Sequence, residues 1–401
     1  MYTFDGRFTR LTFSLILLLA VWFLPACDDT PVVGGNLSPD DVNVDADTLF
    51  VDNISVVSSP SFSGNRPFVT AGYVNDPVFG ELEATAMIRP SISRQQEDFI
   101  SDDAQAFIGF EVDHIYGSTS ESAEFQIVEI DRRWRSTTWR YDSIPALSDR
   151  VVADFTVTDT DSLNIQLPDE WLDKYREIFH NTSSSERDSL YRSDMPGLAI
   201  IPAGGSDKLF SIGMVDARLI INNHDEDLDD LEKSFSSWAV SVQTEIDADQ
   251  DEEGSVTLLN TMGAMLEIDF PVTEEFLGTS NFSRLELVIY EDTLSMDTDI
   301  HGDFVRPRSQ TSRLYYLEPE DLNLAVAVDP VLQANRRSED SSHRYNLTNF
   351  ATDRIHGSSS TRKLYLAYGF NDGRVIPMKF GAADNPEFRP RLLITSISQQ
   401  Q

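Results

Sequence analysis

Four hundred and one residues carry 31 Lys+Arg against 67 Asp+Glu, a net charge of −36. A surface this negative repels phosphates instead of releasing their counterions, which argues against a nucleic-acid partner and against an electrostatic grip on anionic lipid. Hydrophobic content of 40%, with 24 Phe, 12 Tyr and 5 Trp, is enough for packed cores, and one cysteine excludes a disulfide framework, a thiolate zinc site and an iron–sulfur cluster.

At the N-terminus, Arg7 and Arg10 precede the uncharged run 11–26 (LTFSLILLLAVWFLPA), and Asp28 and Asp29 follow. The run is shorter than the ~20 apolar residues of a spanning helix and has the basic-then-apolar layout of a secretory signal. It closes on Leu24-Pro25-Ala26-Cys27, which resembles a bacterial lipobox, with Pro25 in place of the usual small or β-branched residue. In such lipoproteins the cysteine thiol is diacylated, the bond before it is cut, and the new amino group is acylated. The resemblance implies a signal peptide over 1–26, lipidation of Cys27, and a membrane partner reached through the acyl chains. Two or more chains hold stably at about 0.8 kcal/mol per buried CH₂. Asp28-Asp29 resembles the acidic export signal of Bacteroidetes-type surface lipoproteins, implying a cell-envelope protein at the outer membrane or cell surface. Under enterobacterial sorting the same aspartates would imply the periplasmic face of the inner membrane.

Residues 27–47 are rich in Asp, Pro, Gly, Asn and Ser and read as an acidic flexible spacer. Lysine occurs only at Lys174, Lys208, Lys233, Lys363 and Lys379, so nearly all positive charge is arginine. An acidic surface almost without lysine fits a halophilic protein, whose self-repulsion is screened at high salt. An acidic linker combined with an arginine-rich codon bias accounts for it equally well.

Beyond the spacer, short apolar stretches recur between turn residues, among them 106–110, 125–128, 151–157, 198–201, 285–290, 364–370 and 392–397. Several alternate in polarity, which marks half-buried antiparallel strands. The expected fold is mainly β: two antiparallel, jelly-roll-like β-sandwich modules with few short helices. The clearest helix starts at Pro168-Asp169-Glu170 and sets Trp171, Tyr175 and Ile178 on one core-capping face. Acidic runs at 222–232 and 245–253 flank a strand, giving module 1 over 48–222, an acidic linker region with one strand over 223–254, and module 2 over 255–401. Similar words recur in order in both halves, AFIGF then SAEFQI and AMLEIDF then SRLELV, closing on ARLII and PRLLI. This reads as an internal duplication.

Each half resembles the DNRLRE-type, carbohydrate-binding-like sandwich of cell-surface proteins, through 106–110, 122–128, the Trp134 to Trp139 segment, the Pro168 helix and 217–221. The second half keeps the opening and the ending but lacks the tryptophan pair. Gly72, Asp76, Pro77, Phe79 and Gly80, with Ala84, form a G-x-x-x-D-P-x-F-G-x-x-x-A segment. This is similar to one in a Bacteroidetes-type lipoprotein family of unknown function, which pairs a lipobox with β architecture. The residues themselves read as turn chemistry: Pro77 holds Asp76 extended, the Asp side chain caps the turn, and Gly80 supplies a conformation that bulkier residues avoid.

Motifs for catalysis are absent. The histidines His114, His180, His224, His301, His343 and His356 are dispersed, with no metal-ligand spacing, nucleophile elbow or P-loop. Asp247, Asp249, Asp251 and Glu253 alternate as in calcium loops, but Glu252 and Leu258 stand where an EF-hand needs Gly and Glu. A Ca²⁺ site there is a low-ranked reading beside a solvated loop, and no other cofactor is expected. Trp134, Trp139 and Tyr141, with Tyr315 and Tyr316, are candidates for a sugar-stacking platform, against the reading that they are core aromatics. The expected function is therefore that of a lipid-anchored, non-catalytic envelope protein serving structure, attachment or glycan binding, with glycan or envelope proteins as partners. The alternative is a surface hydrolase acting on polysaccharide or peptide, since the carboxylate pair of a glycosidase leaves no sequence motif.

Overall fold

A computed structural model of the chain describes residues 42–58, 60–204, 207–225, 227–246, 254–261, 263–270, 272, 282–297, 302–316, 332–355 and 363–399. The architecture is mainly β, built from antiparallel sheets with a few short helices. The segment read as a signal peptide and lipobox, with Cys27, lies outside the described residues, as do Asp247, Asp249, Asp251 and Glu253. Residues 46–396 make up one compact unit; Val42 to Asp45 and Ile397 to Gln399, which fall outside it, are extended.

Val42–Phe50 is a strand. This corrects the spacer reading for 42–47: the sequence VNVDADTLF alternates apolar and polar residues, a period that outweighs its acidic composition.

The larger sheet contains a closed circuit of pairings. Phe68–Asp76 pairs with Gly80–Pro90, which pairs with Leu231–Thr244, then Arg218–Asn222, Gln105–Ser118 and Lys208–Gly213, which returns to Phe68–Asp76. Two fourteen-residue strands make the corners. Residues 231–234 of one pair with Arg218–Asn222, and from Phe235 onward it pairs with Gly80–Pro90, with a bulge between Phe235 and Ser237. Bends and bulges of this kind let one strand serve two sheets. Leu198–Pro202, Ala123–Ile130 and Leu147–Val157 extend the sheet from Gly80–Pro90. Leu231–Thr244, placed in a linker by its acidic flanks, is thus integral to this sheet, and its alternating buried and exposed residues explain why.

The core of this sheet runs from Val69 to Val242, with Leu259 and Val375 joining it. At its centre Phe210 meets Phe125 edge to face at 4.7 Å and lies stacked on Phe110 at 6.2 Å. Asp169–Phe179 forms the expected helix, with Pro168 at its N-cap and Trp171, Tyr175 and Ile178 buried. The neighbouring helix Ser184–Asp194 was not expected; Ser183 caps it by accepting from the Glu186 N–H.

A second core draws on Val256 to Ile394 and recruits Val51, Ile54 and Phe79 from the N-terminal part. Here Ile54–Ser58 pairs with Ala264–Asp269, Ala264–Asp269 with Lys363–Tyr368, and Lys363–Tyr368 with Thr311–Tyr315. Phe282–Tyr290 pairs with Arg391–Gln399 and Ser342–Asn346. In the reverse exchange, Phe304–Val305 pairs with Gln105–Ser118.

The pairings do not reproduce the proposed duplication. Arg218–Asn222 pairs with the strand holding AFIGF, whereas its counterpart Arg391–Gln399 pairs with the strand of SRLELV and not with that of AMLEIDF. Alternating apolar words specify a face, and many partners satisfy the same face.

Candidate functional site

The Gly72 to Gly80 segment builds a hairpin corner whose centre is a buried ion pair. Gly72 has φ +125° and passes so close to its neighbour that a Cβ would lie 2.1 Å from the Lys208 carbonyl oxygen. Gly80 has φ +71° and open space around it, so there the backbone conformation alone selects glycine. Asp76 is 1% exposed. Its carboxylate accepts from the Val78 and Phe79 amides, closing the turn at Pro77, and from the Tyr116 hydroxyl at 2.6 Å. Arg306, 230 residues away, grips it with two prongs, Nε to Oδ2 and Nη2 to Oδ1, both 2.7 Å. The guanidinium also donates to the Met296 carbonyl and lies 5.1 Å from the Phe79 ring centroid. Burial raises the Asp76 carboxyl, but Arg306, Tyr116 and the Val78 amide more than offset it and hold it below the usual carboxylate range. Nothing in this arrangement leaves Asp76 free for a ligand; it fastens the hairpin to the 304–306 segment.

A second buried network has the composition of a hydrolytic triad but not its geometry. His343 Nδ1 is 2.7 Å from Ser312 Oγ, and its Nε2 is 3.1 Å from Glu291 Oε1. Tyr345 OH meets the same serine, and Arg336 Nε donates to Glu291 Oε2 at 2.6 Å. In a serine hydrolase it is Nε2 that faces the serine and Nδ1 that faces the acid. Here the two are exchanged, and Ser312, His343 and Glu291 are each 0% exposed, beyond the reach of any substrate. The donor order that satisfies every group runs from Tyr345 to Ser312 to His343 to Glu291, with Arg336 closing it from the other side. Such a network specifies one packing of the core.

A groove of about 820 Å³ gathers four arginines around an open cleft. Arg89 comes from the end of Gly80–Pro90, Arg133 and Arg135 from the loop after Ala123–Ile130, and Arg192 from the helix Ser184–Asp194. Hydroxyls of Ser91, Ser93, Ser136, Thr137 and Ser236 share the lining, and among the described residues its only carboxylate is Asp188, 4.0 Å from Arg192. Among the described residues no ion pair reaches Arg89, Arg133 or Arg135. Arg89 is held in place: its Nη2 donates to Ser237 Oγ at 2.9 Å, and its guanidinium lies 5.4 Å from the Trp134 ring centroid. Burial and the like charge of Arg192 pull Arg89 below its ordinary value, against an opposing contribution from Tyr191, while it stays a cation at any physiological pH. Unpaired guanidinium groups gathered in one groove repel one another, and a bound anion relieves that repulsion. Guanidinium forks match carboxylate, sulfate and phosphate oxygens.

The aromatic platform is corrected by burial. Trp134 is 6% exposed and donates Nε1–H to the Pro196 carbonyl, and Tyr141 is 1% exposed with its hydroxyl on Asn371 Oδ1. Trp139 is half-buried, edge-on to Trp134, with its N–H on Ser241 Oγ. Their polar ends are satisfied within the fold, so the rings pack instead of presenting faces. Tyr315 is buried and Tyr316 half-buried. Among the described residues no cluster of His, Cys, Asp and Glu is arranged to hold a metal ion, and no helix is long and apolar enough to cross a membrane.

The groove arginines were missed as a site, although the signal is present: Arg132-Arg133-Trp134-Arg135 is a basic run in a chain with twice as many acids as bases. Arg306 left no such signal.

No family model matches the chain, and no curated protein matches it. Among solved structures, a protein of Parabacteroides distasonis described as secreted is similar over 87% of this chain and 99% of that one, at 9% identity and a TM-score of 0.25. A likeness of that degree carries nothing about activity.

Proposed function

We propose that this is a lipid-anchored protein of the cell envelope, tethered through Cys27, that binds an acidic polysaccharide without turning it over, using the groove of Arg89, Arg133, Arg135 and Arg192. The carrying observation is the convergence of four guanidinium groups, three of which, Arg89, Arg133 and Arg135, have no carboxylate partner among the described residues. A uronate or sulfate chain offers anionic groups at regular spacing, suited to several arginines along a groove, and its hydroxyls suit the serine and threonine rim. The lipobox resemblance supports the tether, and the acidic remainder of the surface supports selectivity, repelling polyanions everywhere but here.

The test uses the mature acylated chain in detergent. It is expected to be retained on immobilised polygalacturonate or dextran sulfate at low salt, to elute as salt rises, and to pass through neutral dextran. Arg133→Glu with Arg135→Glu should weaken retention at least about tenfold, the equivalent of ~1.4 kcal/mol, with an unchanged melting temperature. Equal retention on neutral dextran, or an unaffected double variant, overturns the groove assignment. Cys27→Ser is expected to move the protein from the membrane pellet to the soluble fraction; continued pelleting after a high-salt wash overturns the tether.

A further inference from the structure

The sheet of Ile54–Ser58, Ala264–Asp269, Lys363–Tyr368 and Thr311–Tyr315 has an outer face that does not join the second core. It carries its own small apolar cluster, Met265, Tyr315 and Tyr365, with Val57 and Ala367 packed against it. A cavity of about 470 Å³ lies over Met265, Tyr315 and Ala367, walled by Phe68, Arg313 and Phe370. This volume is in the range of small-molecule sites, which combine an apolar lining with a few placed polar groups.

The placed polar group is Arg313. Its guanidinium lies 4.1 Å from the Phe370 ring centroid, and one nitrogen donates to the Gly369 carbonyl at 3.1 Å. Its Nε is buried and has no hydrogen-bond acceptor among the described residues. A buried N–H on a cation without an acceptor is costly, and cationic groups make the strongest hydrogen bonds when a partner arrives. The nearby acid is already committed: Asp372 holds Arg374 through Nε at 2.9 Å and Nη2 at 2.5 Å. Phe370, 42% exposed, gives the cavity an aromatic wall open to solvent.

We propose that this cavity is a second binding site, independent of the arginine groove, for a small aromatic carboxylate. The ring lies on the Met265 and Tyr315 floor beside Phe370, and the carboxylate accepts from Arg313. A neutral aromatic would leave the Arg313 guanidinium without a counter-charge, and a free sugar acid would waste the apolar floor.

The test is calorimetric titration of the full mature chain with p-coumarate and with its methyl ester. Saturable binding of the acid, at least about tenfold tighter than that of the ester, is expected. Arg313→Met should lose that preference. Ala367→Phe, which fills the floor at the position directly across the strand pair from Arg313, should abolish binding of both compounds. Arg133→Glu with Arg135→Glu should bind p-coumarate as the unmodified protein does, which separates this site from the groove. Absence of saturable heat up to about 10 mM, equal affinity for acid and ester, or an unaffected Arg313→Met protein with a normal melting curve overturns the proposal.

Discussion

Arg306→Met is expected to lower the stability of the protein by about 3–5 kcal/mol at neutral pH, because it strands a charged carboxylate in the core instead of removing a surface ion pair. Asp76 and Arg306 side chains are 0% and 1% exposed, so water cannot replace the lost partner. Arg306→Lys keeps the charge but not the two-pronged fork, and should fall between the two. Acid makes the argument sharper. The folded Asp76 carboxyl titrates below its unfolded value of about 3.9, so its contribution is complete above that value and is lost as pH falls through the folded one. In Arg306→Met the stranded carboxyl gains by protonation, so the gap between the two proteins should narrow from pH 7 to below about 4. Urea unfolding at both pH values measures it. A loss under about 1 kcal/mol at pH 7 would place the pair among surface-like ion pairs and remove its role as the fastener of the hairpin.

The hairpin also shows how far the sequence could be read. Gly72, Asp76, Pro77 and Gly80 announced a turn, because proline, a short acidic side chain and glycine each restrict the backbone within a few residues. Helix Asp169–Phe179 was legible for the same reason: the Pro and acidic first turn and the 3.6-residue apolar period are local. What the turn is fastened to was not legible, since a partner 230 residues distant leaves no mark on spacing. Trp134 and Tyr141 failed differently. An aromatic with a polar end looks the same in sequence whether that end faces water or a carbonyl, and the Pro196 and Asn371 partners decide for the interior. The exchanged partners of the closing strands follow from period two, which fixes a face but not a neighbour.

The Glu291 network tests whether a triad-like set of residues is chemistry or packing. Glu291→Leu removes the acceptor of both His343 Nε2–H and Arg336 Nε–H, one wholly buried and one nearly so, and should cost about 3–5 kcal/mol. Ser312→Ala removes one link of the chain, leaving the Tyr345 hydroxyl and His343 Nδ1 each short of a partner, and should cost about 1–3 kcal/mol. Urea unfolding ranks the two. A catalytic set would show the opposite balance, little loss of stability and total loss of a reaction, because active sites trade packing for function. A fluorophosphonate probe supplies that reaction without knowledge of a substrate. No label is expected on Ser312 in the folded protein, since its hydroxyl is sealed inside the core and the histidine presents the wrong nitrogen to act as in a serine hydrolase. Labelling that disappears in Ser312→Ala, together with an unfolding midpoint that Glu291→Leu leaves in place, would turn the network from a core device into an active site.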